Sequence, residues 1–367
     1  MDEYLLPSLL VAAGLGLLVA GGELLVRGAA RLAAAARISS LVIGLTVVAF
    51  GTSAPEFAVT IQSSLAGRTE LALGNVVGSN IFNVLVVLGL SALVAPLVVS
   101  RQLIRWDVPL MIAASLLAWL MCINGRVGRV DGAVLFACLL AYLVWSVVAG
   151  RRETERTEAA AREASGLGDV EGPAPGGTFR TAAVNLVLIV AGLALLTLGS
   201  RWLVDGSAEV ARMLGVSEFV IGVTIIAVGT SLPELVTSVV ASLRNERDIA
   251  VGNIVGSNMF NILGVLGVGG LVAPAGVVVP EAVFWFDLPV MVAVAGACLP
   301  IFFTGHRIDR WEGGLFFAYY VAYVAYLISR RTHPDLHEAL TYVMAVYVIP
   351  ITVVTVAVCV VRAWRRQ

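Results

Sequence analysis

The sequence predicts an all-α polytopic membrane protein: two inverted five-helix repeats, ten core transmembrane helices in all, plus an additional C-terminal transmembrane helix. Three observations carry this. The 367 residues are 59% hydrophobic and 13% charged, with mean hydropathy +0.93, whereas a soluble domain carries about 25% charged residues. The apolar stretches run about 20 residues, the length of a bilayer-spanning helix, and do not alternate as short barrel strands do. A series of motifs in the first half returns in the second at a constant distance.

The apolar runs fall in order. Residues 5–26 lack a basic start, so they read as a spanning helix and not as a cleaved leader. Residues 40–66 carry Pro55 and are expected to bend around Ala49–Ser53. The runs 71–95, 106–123 and 130–149 complete the first set, with Asp107 opening the second of these as a helix cap. The second set is 181–204, 217–242 (bent by Pro233 around Ala227–Ser231), 249–273, 282–303 (capped by Asp287) and 312–329. A last run, 339–361, precedes a basic tail. Several runs tolerate Gly, Ser, Thr or Asn inside, as expected where neighbouring helices or a water-lined cavity satisfy polar groups.

The organisation is therefore residues 1–150 as one half, 151–180 as a polar linker, 181–330 as the second half, and 331–367 as an extra helix with its tail. The linker is mixed-charge and then Gly/Pro-rich, an amphipathic or disordered segment. It contains Gly166-Leu167-Gly168-Asp169, the GxGD pattern of intramembrane aspartyl proteases; a solvated loop is the wrong place for that chemistry, so the match is read as chance. All 24 basic residues are arginine, and seventeen fall in alternate loops together with the linker and tail. The excess marks the cytoplasmic side of an inner membrane. The N-terminus is then outside, with the linker and C-terminus in the cytoplasm. A net charge of −1 gives no signal for nucleic acid, and the four cysteines show no paired spacing for a disulfide frame or metal knot. The lipid bilayer is the one large partner indicated; no protein partner is, nor is enzyme activity.

The repeat is the strongest signal. Residues 43–52, Ile-Gly-Leu-Thr-Val-Val-Ala-Phe-Gly-Thr, return at 221–230 as Ile-Gly-Val-Thr-Ile-Ile-Ala-Val-Gly-Thr. Ser53-Ala54-Pro55-Glu56 returns as Ser231-Leu232-Pro233-Glu234, and the run Gly74 to Asn83 as Gly252 to Asn261. Further on, Asp107-Val108-Pro109 matches Asp287-Leu288-Pro289. Each copy spans five helices, an odd number, so the second enters the membrane from the opposite face, the architecture of many secondary transporters.

Glu56 and Glu234 lie within apolar helices, where a carboxylate is costly and marks function. No Arg lies near either within its helix, so a cation is the better partner. Thr52 and Ser53 share the helical face of Glu56, as Thr230 and Ser231 share that of Glu234. Asn75, Ser79 and Asn83 form a second stripe, copied by Asn253, Ser257 and Asn261. Carboxylate, hydroxyl and amide oxygens suit hard cations such as Ca²⁺; no His or Cys appears among them, which disfavours zinc and copper. Each proline should free backbone carbonyls toward the cavity.

The paired signatures GTSAPE…GNVVGSNIFN at 51–83 and GTSLPE…GNIVGSNMFN at 229–261 resemble those of the Na⁺/Ca²⁺ exchanger family in the cation/Ca²⁺ antiporter superfamily. The resemblance covers about residues 10–330. It implies ion ligands at Thr52, Ser53, Glu56, Ser79, Asn83, Thr230, Ser231, Glu234, Ser257 and Asn261, with the Ala49 and Ala227 carbonyls. It implies Ca²⁺ and Na⁺ as transported ligands, with no cofactor, and a first and sixth helix that slide across the core. Two features depart from the family pattern. Asn261 stands where potassium-dependent members have Asp, which argues against K⁺ co-transport, and the eleventh helix lies outside the ten-helix plan. H⁺/cation antiport by the same glutamates remains open at this level, since a buried carboxylate can carry a proton.

Overall fold

The computed structural model describes residues 4–36, 38–165, 179–216, 221, 225, 227–303 and 305–332, with positions 338, 341, 342, 344 and 361. The expected eleventh helix, 339–361, and the Gly166–Asp169 motif lie outside the described residues or almost entirely so. The described chain is helical: α1 (Leu5–Ala36), α2 (Ser40–Thr52), α3 (Ala54–Leu65), α4 (Thr69–Val94), α5 (Leu103–Asn124), α6 (Arg129–Ser165), α7 (Phe179–Met213), a helical turn Ala227–Gly229, α8 (Leu232–Leu243), α9 (Arg247–Val272), α10 (Val283–Phe303) and α11 (Arg310–Thr332). Among the described residues seven helices are long and apolar enough to cross a membrane, or eight with α2 and α3 taken as one broken span.

Three helices outrun their apolar cores. α1 continues ten residues past Val26, because Arg27 pairs with Glu23 one turn back at 2.5 Å and the following stretch is rich in alanine, the best helix former. α7 continues past Val204 through Glu209 and Arg212, paired at 3.2 Å. α6 runs to Ser165, through the first half of the expected linker. Of the two readings of the linker, amphipathic or disordered, the helical one holds over 151–165, where Ala, Glu and Arg are all strong helix formers.

α2 and α3 meet at 45°. The cause is Pro55, in the first turn of α3, which cannot donate to the carbonyl four residues back. π-helical turns interrupt the α-helical ladder at Gly44–Val48, Asn83–Leu88, Leu103–Asp107, Phe260–Val265 and Val283–Asp287. Such turns insert one residue and commonly mark functional positions; two of them begin at or beside Asn83 and Asn261.

α4 and α9 form the centre, with 83% and 89% of their apolar windows buried, against 33% for α1 and 28% for α7. The outer pair α1 and α7 is mostly unburied and packs together through glycines. A Cβ on Gly14, Gly21 or Gly28 would stand 2.6–2.9 Å from atoms of Gly199 and Leu203, Gly192 and Leu196, or Ile189. Small residues at this seven-residue spacing let two membrane helices approach closely. α1 is also tied to the end of α8, where Arg244 donates Nε–H to Glu23 Oε2 at 2.9 Å.

Two short antiparallel strand pairs join loops of opposite halves. β1 (Leu97–Val98) pairs with β4 (Arg307–Ile308), and β2 (Arg126–Val127) with β3 (Val277–Val278). The helices after β2 and β4 open alike: Gly128 N–H donates to Asp131 and Asp309 N–H to Glu312, both at 2.8 Å.

Asp107 and Asp287 do not cap their helices. Neither makes a cap hydrogen bond, because both lie within π turns that continue into the helix with helical backbone angles. They clamp helices instead. Tyr142 of α6 donates to Asp107 Oδ1 at 3.1 Å, and Tyr323 of α11 donates to Asp287 Oδ1 at 2.7 Å. Asp107→Ala would leave the buried Tyr142 hydroxyl without its acceptor. We expect a loss of about 1–3 kcal/mol, read as a lower melting temperature, with transport retained.

Candidate cation site

The break between α2 and α3 places Glu56 in the first turn of a new helix, and the break before α8 does the same for Glu234. Both carboxylates are fully buried. A helix N-terminus offers partial positive charge, so each acid is held where the backbone tolerates it best.

The two acids share one oxygen cluster, built by crossed contacts. Ser53, from the first half, donates to Glu234 Oε1 at 3.2 Å. Ser231, from the second, donates to Glu56 Oε1 at 3.0 Å and lies 3.1 Å from Ser79 Oγ. Ser79 Oγ is also 3.5 Å from Glu56 Oε1. Thr52 donates to Asn253 Oδ1 at 3.0 Å and lies 3.4 Å from Ser257 Oγ; Thr230 donates to Asn75 Oδ1 at 3.4 Å. Each half thus completes the other's carboxylate shell.

The central asparagines divide into two kinds. Asn75 donates to the Glu56 carbonyl at 3.3 Å and to Thr60 at 3.0 Å; Asn253 donates to the Glu234 carbonyl at 3.4 Å and to Ser238 at 3.0 Å. These two hold the broken helices against α4 and α9. Asn83 and Asn261 are also buried, yet neither amide oxygen nor nitrogen has a hydrogen-bond partner in the protein, and the same holds for Glu56 Oε2 and Glu234 Oε2. Leaving a buried polar atom unpaired costs about 1–3 kcal/mol, more for a charged one. Four such side chains, placed two and two in the repeat, are the donor set a hard cation would satisfy.

Ten of the residues implied by the resemblance carry oxygen side chains, and eight of these are joined by the hydrogen bonds above, with Asn83 and Asn261 unpaired. The Ala49 carbonyl accepts from Ser53 N–H at 3.0 Å and Thr52 Oγ1 at 3.4 Å. Ala227 opens the short helical turn before Thr230. The carbonyl opposite Pro233 belongs to Gly229, and it accepts the hydroxyl of Ser200 on α7. Sequence reasoning missed Thr60 and Ser238, although each lies four residues past its glutamate and they are 178 apart like the other pairs. Ser200 had no such signal, since its place in the first half is Gly22. Among the described residues no three His, Cys, Asp or Glu side chains cluster as a metal site; the two glutamates stand among neutral hydroxyl and amide oxygens.

The family model described as "Sodium/calcium exchanger protein" matches residues 6–148 and 184–329. The chain belongs to this family. The match includes both glutamates and every oxygen in the cluster. Individual relatives agree. CaxA of Alkalimonas amylolytica is 39% identical over 89% of this chain and 99% of its own. The sodium/calcium exchanger MaX1 of Methanosarcina acetivorans is 32% identical over 87% of this chain and 97% of its own. Among solved structures, the sodium-calcium exchanger NCX_Mj, soaked with 10 mM Na⁺ and zero Ca²⁺, superposes with a TM-score of 0.74 at 31% identity, covering 88% of this chain and 99% of that one. The family member described here is accordingly a multi-pass membrane protein.

Proposed function

We propose that the chain is a secondary active antiporter exchanging Na⁺ for Ca²⁺ by alternating access. The observation that carries this is the pair of fully buried glutamates, each with one carboxylate oxygen bound by a serine of the opposite half and the other unpaired. Two carboxylates carry a charge of about −2, which one Ca²⁺ or two Na⁺ would balance; an empty site is penalised by repulsion and desolvation. A loaded carrier therefore changes conformation more readily than an empty one, which couples the two fluxes.

The ligands we assign are Glu56, Glu234, Thr52, Ser53, Ser79, Asn83, Thr230, Ser231, Ser257 and Asn261, with the Ala49 and Ala227 carbonyls. The serine hydroxyls that now donate to carboxylates can rotate and offer lone pairs to a cation. The pairing of β1 with β4 and of β2 with β3 supports inverted halves, because it sets the loop after α4 beside the loop before α11. The arginine bias then puts the 151–180 segment and the C-terminus in the cytoplasm and the N-terminus outside. α7 contacts the site helices through Leu193 against Gly51 and Val204 against Gly229, and α1 does so through Gly22 against Val236 of α8, which suits a pair that slides to expose each face in turn. Asn261 supplies no charge, so K⁺ should not be required.

The test is calcium uptake into Na⁺-loaded proteoliposomes at fixed pH. Uptake that needs the outward Na⁺ gradient and ignores K⁺ is the expected result. Uptake that ignores Na⁺ and follows a pH gradient would assign H⁺ coupling to the same glutamates. Within this assay, Ser53→Ala and Ser231→Ala should behave alike, each raising the Ca²⁺ concentration for half-maximal uptake about tenfold, the effect of roughly 1.4 kcal/mol.

A further inference from the structure

The two aspartate–tyrosine clamps descend from matching positions but are not equivalent. Asp107 is closed: Oδ1 accepts from Tyr142, Oδ2 accepts from Gln102 at 3.2 Å, and the residue is fully buried. In the second half the place of Gln102 is taken by Ala282. Among the described residues Asp287 therefore has a single side-chain hydrogen-bond partner, Tyr323, and it lines a cavity of about 310 Å³ between α4, α10 and α11. The floor of this cavity is the Gly74–Gly78 face of α4, where an added Cβ would meet nothing within 4 Å. The walls are aromatic: Phe82 and Tyr320 meet edge to face at 5.4 Å, with Tyr323 at 6.4 Å from Tyr320.

We propose that this cavity is a binding site for an organic ammonium group, separate from the cation site. A carboxylate with a free oxygen beside tyrosine and phenylalanine faces is the environment that attracts such a cation, because the ring faces are electron-rich and the carboxylate supplies the counter-charge. The volume is at the lower end of small-molecule pockets. A bare metal ion is a poorer match, since the walls offer few oxygens and the Tyr323 hydroxyl is already spent on Asp287. The Arg330 charge is felt at Asp287 and would compete with the ligand. On α4 Gly74 immediately precedes Asn75 and Gly78 immediately precedes Ser79, so an occupant would press on the helix that carries these two side chains and Asn83. The proposal does not rest on the transport reading.

The experiment is calorimetric titration of the full chain in phosphatidylcholine nanodiscs with benzylammonium, and with benzyl alcohol as its neutral counterpart. Saturable benzylammonium binding is expected, at least tenfold tighter than the alcohol. Asp287→Asn, which keeps an oxygen for Tyr323, should weaken it at least tenfold. Gly78→Leu should abolish it by filling the floor without touching the clamp, and Arg330→Gln should tighten it. Asp107→Asn should leave it unchanged. Adding phosphatidylethanolamine to the nanodisc distinguishes sources: competition identifies a lipid headgroup as the occupant, and its absence a soluble amine. Equal binding of the alcohol, or wild-type affinity in both Asp287→Asn and Gly78→Leu, would overturn the proposal.

Discussion

Glu56→Gln and Glu234→Gln should each abolish Na⁺-driven Ca²⁺ uptake while leaving the protein folded. Removing one partner of a buried charge interaction costs about 3–5 kcal/mol, and 3 kcal/mol is already more than 100-fold. Glutamine has nearly the same shape and keeps an oxygen for Ser231 or Ser53, so the hydrogen bonds that cross between halves can survive. It also removes a charge from a fully buried position with no cation to offset it. The melting temperature of the ion-free protein should therefore stay level or rise as transport disappears. The two changes are measured together, uptake in proteoliposomes and melting in detergent. Retained uptake in both variants would remove the assignment of these acids as ligands, and a lowered melting temperature would show that they act as structural groups.

The second large effect is expected at the contact of α1 with α7. In Gly192→Val a Cβ would stand 2.7 Å from Leu25 N and 2.8 Å from Gly21 O, both backbone atoms that cannot yield. Overpacking of this kind costs about 1–3 kcal/mol. It should also displace Leu193, which sits against Gly51 beside the broken helix, so uptake should fall about tenfold or more. Gly16→Val is the control. Gly16 lies on the same helix as Gly14 and Gly21, but an added Cβ there meets nothing within 4 Å, and both uptake and melting should match the unmodified protein. Equal behaviour of the two variants would mean that the close approach of α1 and α7 has no role in transport.

Much of this was legible in the sequence because the duplication writes each of the buried acids and its hydroxyl neighbours twice. Glu56 and Glu234, with their Thr-Ser neighbours, could be read as a site from spacing alone, and the Pro55 break followed from proline's missing N–H. Helix ends were less legible. Apolarity stops at Val26, but the helix runs on because Glu23–Arg27 pairing and alanine content sustain it. The aspartate clamps were misread because a carboxylate at the start of an apolar run looks like a cap; only the π turns and the tyrosines 35 and 36 residues away show otherwise. The division of the asparagines into structural and orphaned pairs was invisible for a similar reason. Asn75 and Asn83 share a face and a spacing, and their roles separate only when Thr60 and Thr230 are placed against the first.

The contacts around the glutamates have a consequence for how such a chain could be divided. Glu56 takes its serine from the second half, Glu234 from the first, and both strand pairs join one half to the other. On the proposed reading, with these acids as ligands and the halves inverted, neither half holds a finished ion-binding centre, and a chain carrying one half alone would be inert until it met a partner lying the opposite way in the membrane. A gene cut between Ser165 and Phe179 should therefore yield two inactive pieces whose co-expression restores activity. On the same reading, a single-length ancestor would have worked as a pair of identical copies facing in opposite directions.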